Sequence, residues 1–301
     1  MNRKLNRAWR SRYLLIMIAI PLAHIIVFSY MPMYGAQIAF RNYRIIDGIW
    51  GSPWVGFAHF RAFFNSVFFF RLFRNTLVIS GLQLAMTFPA AILMALMINE
   101  LRNKRLKKGV QTVVYMPYFI SVVVVAGIIR GVLAPNSGII NVLAEMITGR
   151  TIFFFNEPAL FPWILAFSDV WQSTGFNSII YLAAISSIDP GLYEATVMDG
   201  ASRLKQIRHI TLPALVPTIV ILFILQIGGL FTIGFQRILL LYNPTIYSTA
   251  DIIQTFVFRR GIGQQDFSYA AAIDIFNNTL NLIMLLFFNK LMRRFAETSL
   301  W

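Results

Sequence analysis

The chain has no cysteine, which excludes disulfide frameworks and thiolate metal sites. Its three histidines, His24, His59 and His209, are far apart and show no metal-ligand spacing. Charge is scarce as well: 13% of residues are charged against 57% hydrophobic, which is too apolar for a soluble globular domain. Acidic residues are the scarcer sign, 12 against 26 basic, leaving a formal net charge of +14. Such an excess can mark a nucleic-acid partner, but here the basic residues flank apolar runs, the pattern that orients helices in a membrane, so no nucleic acid is expected. None of the six lysines follows a glycine, so the chain has no phosphate-binding loop, and ATP chemistry would have to come from a partner. There is no HExxH stretch and no base recognisable beside the scattered serines, so no enzymatic activity and no cofactor bound by this chain are expected. No internal repeat is evident, and an inverted-repeat secondary transporter gains no support.

Long apolar runs dominate, and they predict an all-α polytopic membrane protein with six transmembrane helices and both termini cytoplasmic. A basic segment at 1–12 precedes the first span at 13–34, which is too long for a signal-peptide core and is read as a retained helix. Residues 35–74 form an external loop whose Trp and Phe series suits a helix lying in the interface. The second span at 75–99 leads into a compact basic inner loop at 100–108, and the third span covers 109–133. An external loop at 134–157 follows, then the fourth span at 158–187, a cytoplasmic loop at 188–212, the fifth span at 213–235, an external loop at 236–268, the sixth span at 269–289 and a tail at 290–301. In this topology sixteen basic residues lie inside and nine outside, while all six lysines are inside, so the bias has the expected sign. Asp169 within the fourth span costs about 2.5–3.5 kcal/mol at a helix centre, and Leu, Ile, Phe and Val each return about 0.3–0.6. That segment has eleven of these residues, so it inserts with its acid turned to another helix or a wet cavity.

The stretch from Ile188 to Pro213 is the long charged segment between two of these runs on the lysine-bearing side. Ile188, Leu192 and Ala195 fall at helical spacing, Asp199 and Gly200 supply a turn, and Leu204, Ile207 and Ile210 resume the spacing in a second short helix. With Glu194, Arg203, Lys205 and Arg208 it offers both an apolar knob and charges to another protein, or else it lies along the bilayer surface.

Glu194-Ala195-Thr196, three residues, Gly200, nine residues, Ile210, one residue and Leu212-Pro213 resembles the EAA loop of the membrane subunits of binding-protein-dependent ATP-binding-cassette importers. One position departs: Thr196 stands where that family usually has a second alanine, a small change that should pack readily. The likeness covers the whole chain. YMPMYGAQIAF at 30–40, SPWVGF at 52–57, RNTL at 74–77, YMPYFIS at 115–121 and SLW at 299–301 are similar to a branch of carbohydrate permeases that import oligosaccharides from complex polysaccharides, including alginate and pectin fragments. The resemblance implies a bacterial inner-membrane protein surrounded by lipid, paired with a second similar permease subunit. It further implies two cytoplasmic ATPases that bind ATP and Mg, and an external or periplasmic solute-binding protein that delivers the oligosaccharide. By the same resemblance Glu194, Ala195, Thr196, Asp199, Gly200, Ala201, Arg203, Leu204 and Ile207 would couple to the ATPase, with Glu194 facing it, Ala195 allowing close approach and Gly200 permitting the turn. Leu204 and Ile207 would be buried against either the ATPase or the subunit's own helices.

Polar groups within spans point to a substrate pathway or to interhelical bonding. The candidates are Asp169, Trp171, Gln172 and Asn177 in the fourth span, Gln226, Gln236 and Arg237 in or beyond the fifth, and a stripe of Asp274, Asn277, Asn278 and Asn281 in the sixth. The outer loops carry a net +4, which would attract a polyanionic oligosaccharide, although lipid phosphates or the binding protein could meet the same arginines. The competing reading is an autonomous secondary transporter coupled to ions through Asp169 and Asp274.

Overall fold

The structure is a computed structural model, and it describes residues 12–232 and 234–296. The described residues are nearly all helical, with two isolated bridges and no named strand. In chain order the principal helices are α1 (Arg12–Ile25), continued by a π turn (Ile26–Tyr30) and a 3-10 stretch (Met31–Phe40); α2 (Ala58–Phe64); α3 (Phe69–Asn99); α4 (Lys104–Tyr115); α5 (Val122–Val132); α6 (Ile139–Thr148); α7 (Phe161–Ser186); and α8 (Pro190–Met198). They are followed by α9 (Arg203–Ile227), which passes through a π turn at Ile207–Thr211, then α10 (Phe235–Leu241), α11 (Ile253–Phe258) and α12 (Phe267–Ala296). Among the described residues four helices are long and apolar enough to cross a membrane, Tyr13–Phe40, α3, α9 and Phe267–Arg294, or five if the bent pair Lys104–Phe119 and Val122–Val132 is one span. α7 has the length, 26 residues, but falls outside that set because Ser168, Asp169, Gln172, Ser173, Thr174, Asn177 and Ser178 dilute its apolar content.

Two stretches differ from straight spans. Residues 109–133 do not form one rod: α4 passes into a 3-10 turn at Met116–Phe119, and the chain then bends by 100° into α5. Pro117 cannot continue the hydrogen-bond ladder, and Ser121 caps the new helix by accepting from the Val124 amide at 3.4 Å. The second arm of the 188–213 stretch is not a separate short helix either, because Arg203 begins a helix that runs without a break to Ile227.

The chain divides into two compact units. Of the described residues, one comprises 12–66 and 257–276. In it Tyr13–Phe40 is a long helix none of whose apolar window is buried, and the chain then folds into an aromatic knot. Phe40 stacks on Trp54 at 5.6 Å, Arg41 lies over Trp50 and Trp54 at 5.5 and 5.6 Å, and its guanidinium donates to the Ser52 carbonyl at 2.9 Å. The motifs at 30–40 and 52–57 therefore meet in one structure, with Val55 N–H donating to the Phe40 carbonyl at 2.8 Å.

The other unit comprises, of the described residues, 67–232, 234–256 and 277–296. Its centre is the packing of α3 against α7. One apolar cluster joins Ile79, Ala126, Phe161, Leu165, Ile238, Leu241 and Ile246, and a second joins Ala91, Ala95, Tyr181, Ile185 and Leu215. Between them the facing helix surfaces carry polar side chains, and it is there that Asp169, Gln172 and Arg237 meet. The RNTL stretch has a structural role in this unit. Asn75, 3% exposed, donates to the carbonyls of Ser248 and Asp251 at 3.1 and 3.0 Å, and the Thr76 hydroxyl accepts from the Ile253 amide at 3.0 Å. Together with the Arg71 to Asp251 ion pair at 3.5 Å, these bonds clamp the segment before α11 onto the start of α3. Asn281 accepts from the Phe231 amide at 3.0 Å, and Asn277 donates to the Phe231 carbonyl at 3.4 Å, so two members of the sixth-span polar stripe pair the backbone freed where α9 ends.

Candidate functional site

Asp169 is the hub of the polar zone. It projects from α7 and is held from three sides: Arg237 of α10 donates to Oδ1 at 3.2 Å, Ser173 one helical turn on donates to Oδ1 at 3.3 Å, and Thr87 of α3 donates to Oδ2 at 2.8 Å. The Arg237 side chain is 8% exposed and the Asp169 side chain 21%. Arg237 also donates to the Ser168 hydroxyl at 3.1 Å and to the Gln172 side-chain carbonyl. Gln172 in turn donates to the Ile120 carbonyl at 2.9 Å, inside the break between α4 and α5. One charge-neutral network thus ties α3, the α4–α5 bend, α7 and α10 together. A buried pair of this kind is tolerable because its remaining hydrogen-bonding groups are largely satisfied.

Two cavities share Asp169 in their linings. One, of about 340 Å³, is bounded by Val122, Asp169, Thr232, Gly234, Phe235, Gln236 and Arg237. The other, of about 270 Å³, lies among Gln83, Thr87, Asp169, Ser173, Asn177 and Gln226, closed by Leu84, Leu225 and Gly229. The second is lined by amides and hydroxyls from α3, α7 and α9. Of the residues named from sequence, Asp169, Gln172 and Arg237 meet in the network, while Asn177, Gln226 and Gln236 line the cavities with Asp169 and Arg237. Trp171 and Asn278 are exposed and not among these residues, and Asp274, partly buried, belongs to the first unit.

The 188–213 stretch presents a different surface. Asp189 caps α8 by accepting from the Gly191 amide at 2.9 Å, and the helix ends at a turn where Gly200 has φ +72°. Leu192, Val197, Met198 and Leu204 are 52%, 59%, 87% and 78% exposed, an apolar patch with the exposed Glu194 and Arg203 on it. Ile207 is half-buried, so it and Leu204 face different surroundings. Ala195 and Asp199 are exposed and Ala201 is half-buried. The Tyr193 and Thr211 hydroxyls bond at 2.9 Å, and Gln206, 3% exposed, donates to the Thr196 hydroxyl at 3.3 Å. Thr196, the departure from the usual alanine, therefore adds a hydrogen bond that alanine would lack, and this bond ties α8 to the first turns of α9.

A family model for the inner membrane component of binding-protein-dependent transport systems matches residues 87–296. The chain belongs to that family. Among curated members of this permease family it is 41% identical over 300 residues to the polygalacturonan/rhamnogalacturonan transport system permease protein YteP of Bacillus subtilis (strain 168), covering 100% of this chain and 94% of the relative. It is 37% identical over 292 residues to Protein LplB of the same organism, covering 97% and 92%. Among solved structures it is 42% identical, with a TM-score of 0.90, to a chain of a bacterial ABC transporter involved in the import of the acidic polysaccharide alginate, covering 97% and 99%. A chain of the bacterial alginate ABC transporter in complex with an alginate pentasaccharide-bound periplasmic protein matches with TM-score 0.91 and 41% identity, covering 99% and 100%.

Reading the sequence of this permease missed three residues that the cavity brings together: Gln83, Thr87 and Ser173. Ser173 lies four residues beyond Asp169, and that spacing on a helix was an available signal. Gln83 and Thr87 are also four apart and polar within an apolar span, and the same criterion that selected Asn177 would have found them.

Proposed function

We propose that the chain is the permease subunit of an ABC importer that passes acidic oligosaccharides across the bacterial inner membrane. The observation that carries the reading is the cavity of amides and hydroxyls between α3, α7 and α9, a lining suited to sugar hydroxyls and set among helices of a sugar-permease family member. One relative is named for polygalacturonan and rhamnogalacturonan, and the similar solved structures for alginate; uronate carboxylates are common to these polymers. In support, Arg61, Arg74 and Arg150 of the expected outer segments are exposed and have no ion-pair partner among the described residues. Their charge would draw a polyanion from an external binding protein.

In this reading the chain spans the membrane six times with both termini cytoplasmic, the bent pair α4–α5 being the third span and α7 the fourth. A second permease subunit shares the pathway. Two cytoplasmic ATPases hold ATP and Mg and dock on the patch of Leu192, Val197, Met198 and Leu204, with Glu194 and Arg203 setting orientation. Gly200 makes the turn that separates the two arms of this handle.

The ion-coupled alternative needs an acid left open to a coupling ion, whereas Asp169 is already engaged by the guanidinium of Arg237 and the hydroxyls of Thr87 and Ser173. The test is ATP hydrolysis and uptake by the reconstituted complex with its binding protein, across neutral and acidic oligosaccharides. Stimulation by acidic chains supports the reading. Uptake that persists without ATPase subunits and collapses with the ion gradient would overturn it.

A further inference from the structure

We propose that Gln83 is a specificity-determining residue of this permease, hydrogen-bonding ring hydroxyls of the passing sugar in the cavity between α3, α7 and α9; the proposal rests on the permease reading above. Gln83 lies in the interior of α3 and is 1% exposed. Among the described residues, neither its side-chain oxygen nor its side-chain nitrogen, both buried, has a hydrogen-bond partner. A side chain left in that condition weakens the fold, and its retention calls for a use.

The surroundings hold the amide in place without satisfying it. Gly234, with φ +76°, passes so close that a Cβ there would lie 2.9 Å from the Gln83 oxygen and 3.1 Å from its nitrogen. A side chain at 234 would therefore displace the amide. Gln83 also lines the 270 Å³ cavity, across which stand Asn177 of α7 and Gln226 of α9. Neither of these makes a side-chain hydrogen bond among the described residues. Three carboxamides from three helices thus face one space, each offering two donors and one acceptor.

The chemistry of that set selects a ligand class. A sugar hydroxyl both donates and accepts, which a carboxamide matches with its two ends. A carboxylate only accepts and is best met by a guanidinium, but the guanidinium nearby, Arg237, is already paired with Asp169. The Thr87 and Ser173 hydroxyls spend their protons on Asp169, leaving their oxygens able to accept. This cavity therefore reads the hydroxyl pattern of a ring, and recognition of uronate charge belongs to other parts of the assembly.

The test uses the reconstituted transporter with its partner subunits and binding protein, comparing wild type with Gln83→Leu and Gln83→Met. If Gln83 contacts the sugar, the half-saturating substrate concentration for uptake rises about tenfold in both variants, the loss of one or two hydrogen bonds. The loss should be the same for an acidic oligosaccharide and for its carboxyl-reduced neutral counterpart, because the contact is to hydroxyls. Both variants also remove an unpaired buried group, so thermal stability should stay level or rise, which separates a folding defect from lost contact. Unchanged half-saturation in a correctly assembled Gln83→Leu or Gln83→Met transporter overturns the proposal, as does a loss confined to the acidic substrate. Wild type that shows no ATP-dependent uptake overturns the permease reading instead.

Discussion

Cutting the Asp169–Arg237 pair from either side tests whether it fastens α7 to α10. At 3.2 Å and an effective dielectric of about 20, the gross attraction is about 5 kcal/mol, most of it offset by desolvation. Breaking a buried pair by deleting one member costs more than the pair's net worth, about 3–5 kcal/mol, because the other charge is stranded. The two sides are not equivalent. In Arg237→Gln the carboxylate is 21% exposed and keeps the Thr87 and Ser173 hydroxyls, which puts the loss near about 3 kcal/mol. In Asp169→Asn a guanidinium 8% exposed retains the neutral Gln172 and Ser168 acceptors, and the loss should reach about 4 kcal/mol. The double variant strands no charge and should lose about 3 kcal/mol less than the two singles together. Thermal unfolding of the purified assembly of all four forms, with uptake measured alongside, gives the cycle. Additivity to within about 0.5 kcal/mol would refute the coupling and leave Arg237 anchored by Gln172 alone.

Other positions yield simpler outcomes. Gly200→Val at φ +72° should cost about 1–2 kcal/mol locally and reduce co-purification of the ATPase, while membrane insertion measured by fractionation stays normal. Leu204→Glu, at a residue 78% exposed, should weaken the same association with no change in thermal stability of the isolated subunit. Asn75→Ala removes the donor to the Ser248 carbonyl and to the buried Asp251 carbonyl and should destabilise by about 1–3 kcal/mol, read as faster proteolysis within residues 244–253. Alanine at Asn177 and Gln226 should each raise the half-saturating substrate concentration by about three- to tenfold, a measurement that Gln83 variants extend.

The helical character, the turn at Gly200 and the exposed apolar residues of the 188–213 stretch were legible because apolar runs, the DG pair and the EAA spacing are local patterns. Asp169 was legible too, since one acid in an apolar span demands a partner. The partner was not. Arg237 is 68 residues away, and its position on α10 is set by packing of Ile238 and Leu241 in the apolar cluster, which no local pattern encodes. The 100° bend at Ile120–Ser121, just after Pro117, was hidden for a related reason: proline interrupts a ladder locally, but whether the helix then kinks or turns aside depends on neighbours such as Gln172, which takes up the Ile120 carbonyl. From Leu204 to Ile210 the spacing reads as a second short helix separate from the next span, whereas these residues are the first turns of α9, which runs on to Ile227.

In the proposed importer the uninterrupted α9 joins the handle and the cavity as two ends of one lever. Leu204 and Gln226 sit on the same rod, whose 25 residues span about 37 Å at 1.5 Å per residue. A rock of about 10° imposed at the lower arm swings the upper end by about 6 Å, comparable to the width of a sugar ring, with no slack loop to absorb it. The π turn at Ile207–Thr211 lies between the push and most of the shaft, and Tyr193 braces it through Thr211. In the proposed importer that brace sets the stroke, so Tyr193→Phe should lower substrate-stimulated ATP hydrolysis while co-purification of the ATPase stays unchanged.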